Sequence, residues 1–296
     1  MSVTPKAAKQ VAEQFLEEGY AIIRQFVDGD VLLNLRAETD RMYAEGLKHH
    51  ATWRHGNLAF EILPEKDFGQ RYVIQAYWMS WMSSFFEELR RVPNYFAVLE
   101  PILGQNIKQV AQQIHWKPPG AGLTGYRFHQ DLRFRVARDA YRDITQSTVT
   151  TGLAIDPSTR ENGCLQVIPG SNKLGYLGLS DEGDGQIMKG LTQESELSAA
   201  GLDPDRIVWL EQEPGDLALW GLMTVHGSLP NSSQQDRAFA ISSYVRAENS
   251  DRGEWAFRDG VSTPLGDTPK LCKFEGLFDK PDPHYVDDKW YEPKAS

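Results

Sequence analysis

His129-Gln130-Asp131 lies in the run Tyr126-Arg127-Phe128-His129-Gln130-Asp131-Leu132. In an extended strand, residues two apart share a face, so this tripeptide could turn an imidazole and a carboxylate toward one ion. A second histidine, His226, follows the apolar run 217–222 on a separate turn. Two histidines and one carboxylate leave three coordination positions open, the facial arrangement used by non-haem Fe(II) oxygenases. The tripeptide alone is short enough to arise by chance. On it alone, a histidine paired with a carboxylate at a strand end is the stronger reading.

Arg237 shifts that balance, standing eleven residues beyond His226 at the head of an apparent strand, 238–245. A guanidinium there could form a bidentate pair with a carboxylate co-substrate, and the Ser228 hydroxyl could donate to the same group. An open metal site beside a carboxylate clamp is what oxidative decarboxylation of a 2-oxo acid requires. Gln113, His115 and Lys117 alternate on one expected strand. They contact co-substrate or substrate, or form a polar cluster at a barrel rim. Arg127 and Arg133 share the face of His129 and Asp131 if the strand runs on to residue 134, and could neutralise an anionic substrate or make surface ion pairs. Trp78, with Tyr72, Tyr77, Trp81 and Phe85, gives the stretch 71–91 the aspect of an aromatic helix. That helix is either core or one wall of a substrate pocket.

Further landmarks extend the pattern. They are the stretch from Phe15 to Phe26, Lys117-Pro118-Pro119-Gly120, the run from Glu161-Asn162-Gly163-Cys164 to Pro169-Gly170-Ser171, Pro214-Gly215-Asp216, and His226-Gly227-Ser228. In order and spacing they resemble the phytanoyl-CoA dioxygenase family of Fe(II)/2-oxoglutarate-dependent oxygenases, from about residue 10 to 247. The resemblance implies a double-stranded β-helix core, Fe(II) on His129, Asp131 and His226, and 2-oxoglutarate on Arg237 and Ser228, with dioxygen as oxidant. Two positions depart from the family's habit: Gly152 where tryptophan is frequent, and Asn172 where histidine usually follows Pro-Gly-Ser. The first is expected to change volume near the core, the second to affect a loop. Asp131 is retained, which disfavours the halogenation seen in relatives that have lost this carboxylate.

These residues need a scaffold. Thr4, Pro5 and Gly19 punctuate a helix with an apolar face at Ala8, Val11, Phe15 and Leu16. A strand at 20–26, a helix capped by Asp30, the helix at 71–91 and a short one from Asn94 to Gly104 follow, while 44–69 carries no firm pattern. From about residue 106, short strands alternate with turn signals: 107–117, 126–134, 146–156, 164–168, 206–211, 216–222 and 238–247. Helices first and many short strands after them predict a mainly β fold with α cover, a jelly-roll or cupin-like core. The expected plan is one domain over 1–296, with helical cover to about 105, β core over 106–247 and a C-terminal wrap over 248–296.

Composition narrows the class further. The 296 residues carry 41 acidic against 31 basic side chains, a net charge of −10, which excludes a surface built for nucleic acid or anionic membrane. Two cysteines, Cys164 and Cys272, fit a reducing cytosol rather than a disulfide framework. The nearest approach to a membrane span, 72–86, is shorter than the ~20 apolar residues required. The sequence therefore predicts a cytoplasmic monomer or homodimer that oxidises a small organic molecule. The acidity and the aromatic stretch favour a neutral or amphiphilic natural product. Two rivals stay open. One is a non-catalytic β-helix sensor that binds 2-oxoglutarate or a metabolite. The other is a zinc hydrolase built on His115, His129 and Asp131.

Overall fold

The structure, a computed structural model, describes residues 2–119, 125–135, 140–180 and 191–267. Helix α1, Pro5–Glu18, begins where the Thr4 hydroxyl accepts from the Ala7 N–H and ends at Gly19, whose φ of 81° is the left-handed cap glycine tolerates. Its buried face, Ala8, Val11, Ala12 and Phe15, packs toward α5, Pro93–Leu103. Helix α2, Gly29–Gly46, starts with Asp28 rather than Asp30 in the cap position. The remaining helices are α3, Glu65–Phe68, α4, Ser84–Leu89, and α6, Glu194–Ala199.

Fourteen strands of the described residues form two antiparallel sheets. The larger contains β1, Tyr20–Ile23, β2, Trp53–His55, β3, Leu58–Leu63, β4, Tyr72–Tyr77, β5, Ile107–Lys117, β7, Thr148–Ala154, β10, Leu217–Gly221, and β12, Arg237–Arg246. Their order is β1-β10-β7-β12-β5-β4-β3-β2, with β13, Glu254–Arg258, beside the early half of β5 and β14, Val261–Ser262, beyond it. The smaller sheet is β6-β11-β8-β9, formed by Tyr126–His129, His226–Ser228, Leu165–Val167 and Val208–Leu210. This is a jelly-roll core. The main hydrophobic cluster, including Phe26, Leu35, Met42, Phe60, Leu99 and Leu103, joins the helices to the larger sheet.

Three expectations need correction, and one region without a reading gains a structure. The stretch 71–91 is strand β4, a 3₁₀ turn at Met79–Trp81 and the short helix α4. Its apolar run is continuous because β4 is largely buried on both faces, and periodicity alone cannot separate such a strand from a buried helix. The polar region 44–69 holds the hairpin β2–β3, turned at Gly56 with φ 61°. The strand expected over 126–134 stops at His129, and Asp131–Phe134 is a 3₁₀ turn. His226 begins strand β11 rather than lying in a turn. Gly120, Cys272 and most of the C-terminal wrap lie outside the described residues, as does part of the excursion expected over 172–205.

Candidate active site

The two histidines are cross-strand neighbours. His129 ends β6, His226 starts β11, and the two are register partners with ring centroids 4.3 Å apart. Each ring is oriented by the chain just before it: His129 Nδ1 lies 2.7 Å from the Arg127 carbonyl, and His226 Nδ1 lies 2.9 Å from that of Thr224. A carbonyl can only accept, so each Nδ1 carries the proton and each Nε2 keeps a lone pair. Both Nε2 atoms lie 3.6 Å from Asp131 Oδ1. The other oxygen, Oδ2, accepts from Trp220 Nε1 at 3.2 Å and Thr150 Oγ1 at 3.3 Å. The three ligand atoms lie within 4.8 Å of one another and could hold one metal ion.

Electrostatics suit that role. Burial alone would raise the Asp131 carboxyl, but His226, His129 and Arg135 hold it well below the usual carboxylate range. Burial, reinforced by His129, lowers His226 to about 4. An ionised carboxylate and a neutral imidazole are the protonation states a metal needs.

A second polar group lies farther along the cavity. Arg237 and Lys117 are register partners across β12 and β5 and are 3% and 1% exposed, a depth at which cations require partners. Lys117 Nζ donates to Ser228 Oγ at 2.6 Å and to the carbonyls of Leu229 and Gly163 at 2.7 and 3.1 Å. Arg237 Nη2 donates to the same Gly163 carbonyl at 3.1 Å, while its buried Nε has no hydrogen-bond partner. Burial and the neighbouring guanidinium push the Lys117 ammonium well below its ordinary value. Gly163 makes this convergence possible. It has φ 75°, and a Cβ there would sit 2.1 Å from the Leu229 carbonyl oxygen. The orphaned Nε of a buried guanidinium is what a carboxylate ligand would satisfy.

Gln113 and His115 line the same cavity. Gln75 Nε2 donates to the Tyr126 hydroxyl at 2.7 Å, and Tyr126 donates to His115 Nδ1 at 3.0 Å. His115 Nε2 then donates to Gln113 Oε1 at 3.0 Å. Both ring nitrogens of His115 are engaged, and it stands outside the His129–Asp131–His226 cluster, which removes it from the zinc set.

Three expected substrate contacts fail. Arg127 pairs with Glu196 at 2.5 Å and donates to Ser180 Oγ, and Arg133 donates to the Ser180 carbonyl; neither lines the cavity. The face-sharing inference broke because the strand ends before Arg133. Trp78 is 1% exposed and belongs to the interior, although its neighbour Tyr77 does line the cavity. The sequence reading missed Arg135, Thr150, Trp220 and Tyr126 as lining residues. Trp220 and Thr150 gave a signal of position only, since each sits on an expected strand. At Gly152, the space of the family's tryptophan is taken by Phe239 and Trp220, whose ring atoms would lie 2.4 and 2.9 Å from an added Cβ. Asn172 is no free loop residue, for its Nδ2 donates to the Leu16 carbonyl at the end of α1.

A jelly-roll core with two histidines and a carboxylate converging between its sheets is the framework of a metal-binding β-helix protein. Residues 15–239 match the family described as phytanoyl-CoA dioxygenase (PhyH), and the chain belongs to that family. A methylphosphonate hydroxylase of Gimesia maris is 28% identical over 186 residues, covering 60% of this chain and 62% of the relative. The peroxisomal phytanoyl-CoA dioxygenase of Mus musculus is 27% identical over 226 residues, covering 74% and 62%. Among solved structures, EctD from S. alaskensis with bound Fe superposes with a TM-score of 0.64 at 19% identity, covering 92% of this chain and 88% of that one, which supports the shared fold. The chain spans about half to three-fifths of the length of the curated relatives it matches. No helix among the described residues is long and apolar enough to cross a membrane.

Proposed function

We infer that the chain is an Fe(II)/2-oxoglutarate-dependent dioxygenase that oxidises an unactivated carbon of a small organic molecule, hydroxylation being the default outcome. The observation that carries this reading is the shared cavity: the His129–Asp131–His226 cluster and the Arg237–Lys117–Ser228 group line one space of about 290 Å³. A sensor would need only the second group. His129, Asp131 and His226 would hold the iron, and Arg237 would pair with the far carboxylate of 2-oxoglutarate, helped by Ser228 and Lys117. Gln113 would border the co-substrate through its hydrogen bond to His115.

Iron with 2-oxoglutarate and dioxygen supplies an oxidant able to take hydrogen from carbon, with release of succinate and carbon dioxide. The protein's own part is positional. The Arg127 and Thr224 carbonyls fix the imidazole tautomers, while Trp220 and Thr150 keep one Asp131 oxygen turned away from the ion. Arg237 and Lys117 fix the co-substrate by its far end, and Phe239, Ile241 and Leu165 supply apolar walls that limit water. The chain acts as one domain, as a monomer or homodimer in a reducing cytosol, where the buried thiol Cys164 stays free and iron stays ferrous.

Anaerobic titration tests the binding half of this reading. Protein given Fe(II) should bind 2-oxoglutarate, and metal-free protein should bind it far more weakly. Equal binding with and without metal would favour the sensor.

A further inference from the structure

The geometry points to Arg135 as the anchor for an anionic head group, carboxylate or phosphonate, on the substrate. This rests on the oxygenase reading and names the substrate class of the same site.

The cavity has a guanidinium toward each end. Arg237 lies with Lys117 and Ser228 at one end. Arg135 donates from Nη2 to Ser243 Oγ at 3.2 Å. Ser243 lies six residues farther along β12, roughly 20 Å of strand at about 3.4 Å per residue. Asp131 lies on the Arg135 side, since Thr150 Oγ1 donates to Asp131 Oδ2 and lies 3.4 Å from Ser243 Oγ, and it is within electrostatic reach of Arg135.

Arg135 is 4% exposed, yet among the described residues no carboxylate lies within ion-pair distance of it. Its other contact is with the Tyr141 ring, 5.8 Å from the guanidinium carbon. Asp131 is within electrostatic reach of it but makes no hydrogen bond to it. One Asp131 oxygen faces the two imidazoles and the other is held by Trp220 and Thr150. The co-substrate does not satisfy it either, since its two carboxylates belong to the metal and to Arg237. A buried guanidinium whose one side-chain hydrogen bond goes to a neutral hydroxyl keeps donors for a further anion, and one lining a ligand cavity supplies both affinity and orientation for it.

The surroundings limit the rest of the ligand. Phe134, Ile241 and Ala111 line this end with apolar surface, and the whole cavity of about 290 Å³ must also hold the co-substrate. The substrate that fits is therefore short, with an oxyanion at one end and a carbon–hydrogen bond turned toward Asp131 and the two histidines. The acidic surface does not oppose this, because net charge does not report the charge of a pocket.

Calorimetric titration of anaerobic protein loaded with Fe(II) and saturated with 2-oxoglutarate tests the proposal without turnover. The probes are propanoate, ethylphosphonate and the neutral propanamide. Wild-type protein should bind one of the anions at least tenfold more tightly than propanamide, and the preferred anion separates carboxylate from phosphonate recognition. Arg135→Gln should abolish that preference and leave 2-oxoglutarate affinity unchanged, which also reports that the variant is folded. If Arg135→Gln does not fold, Arg135→Lys carries the test: retained anion preference supports the assignment and equal binding of anion and amide contradicts it. Three wild-type or Gln-variant results overturn it: no anion preference in the wild type, full preference in Arg135→Gln, or a selective loss of 2-oxoglutarate affinity in a folded Arg135→Gln. Failure of the wild type to bind 2-oxoglutarate with Fe(II) would instead bring down the oxygenase reading itself.

Discussion

At Asp131 the two carboxylate oxygens have separate duties. Oδ2 is held by Trp220 and Thr150, and Oδ1 faces the two Nε2 atoms. This division explains why the residue was legible as chemistry from its tripeptide, whereas the groups that orient it were not. Trp220 comes from a strand 89 residues away, and no local pattern links the two. Arg237 was legible because an arginine at the head of a strand shortly after a histidine is a local feature. Hydrogen bonds to charged groups contribute about 1.5–3 kcal/mol, so Arg237→Gln should weaken 2-oxoglutarate binding roughly 10- to 150-fold. Iron binding should be unchanged, as paired titrations of the variant with metal and co-substrate would show.

His226 carries a pH prediction at the same scale. Burial first, then His129, lowers it to about 4 in the metal-free fold, against about 6.5 in an unfolded chain. Between those values the unfolded chain binds the proton more readily. The contribution is therefore complete above pH 6.5 and is lost as pH falls toward 4. Asp131, held far lower, stays ionised across that window. Urea denaturation of the metal-free protein should show about 2 kcal/mol less stability at pH 5 than at pH 7 from this group. His226→Gln should flatten that slope, and an unchanged slope would contradict the assignment.

Among the elements, most strands of the β core were readable because alternation and turn residues coincide, as in β5, whose predicted and observed limits agree. The failures occurred where an element is buried on both faces or changes type within a few residues. β4 imitates a buried helix, and the β6-to-3₁₀ change after His129 sends Arg133 outward while Arg135 reaches the cavity. The contact between β7 and the rings of Phe239 and Trp220 sets a clear limit on Gly152. An added Cβ would meet those rings at 2.4 and 2.9 Å, and overpacking of this kind costs about 1–3 kcal/mol. Gly152→Ala should lower the urea midpoint and, by shifting Trp220 away from Asp131, weaken metal binding. A variant with lower stability but unaltered metal affinity would separate packing at β7 from support of Asp131.

For the whole molecule, the sequence order of helices followed by short strands was enough to give the architecture, but not the way distant segments share one sheet. β1 pairs with β10, and β5 carries β12 on one edge with β4 and β13 on the other. Since the sheet joins residues from 20 to 262, the one-domain reading predicts a single calorimetric unfolding transition. Fe(II) with 2-oxoglutarate should move that transition upward as a unit, because ligands that bind only the native state stabilise it. Two well-separated transitions would contradict the one-domain reading. The most direct test of the central claim is release of carbon dioxide and succinate from 2-oxoglutarate. Wild-type protein should produce both only with Fe(II) and dioxygen together, and His226→Ala should produce neither. No release by the wild type under those conditions, equal release by His226→Ala, or release that zinc supports as well as iron would contradict the account.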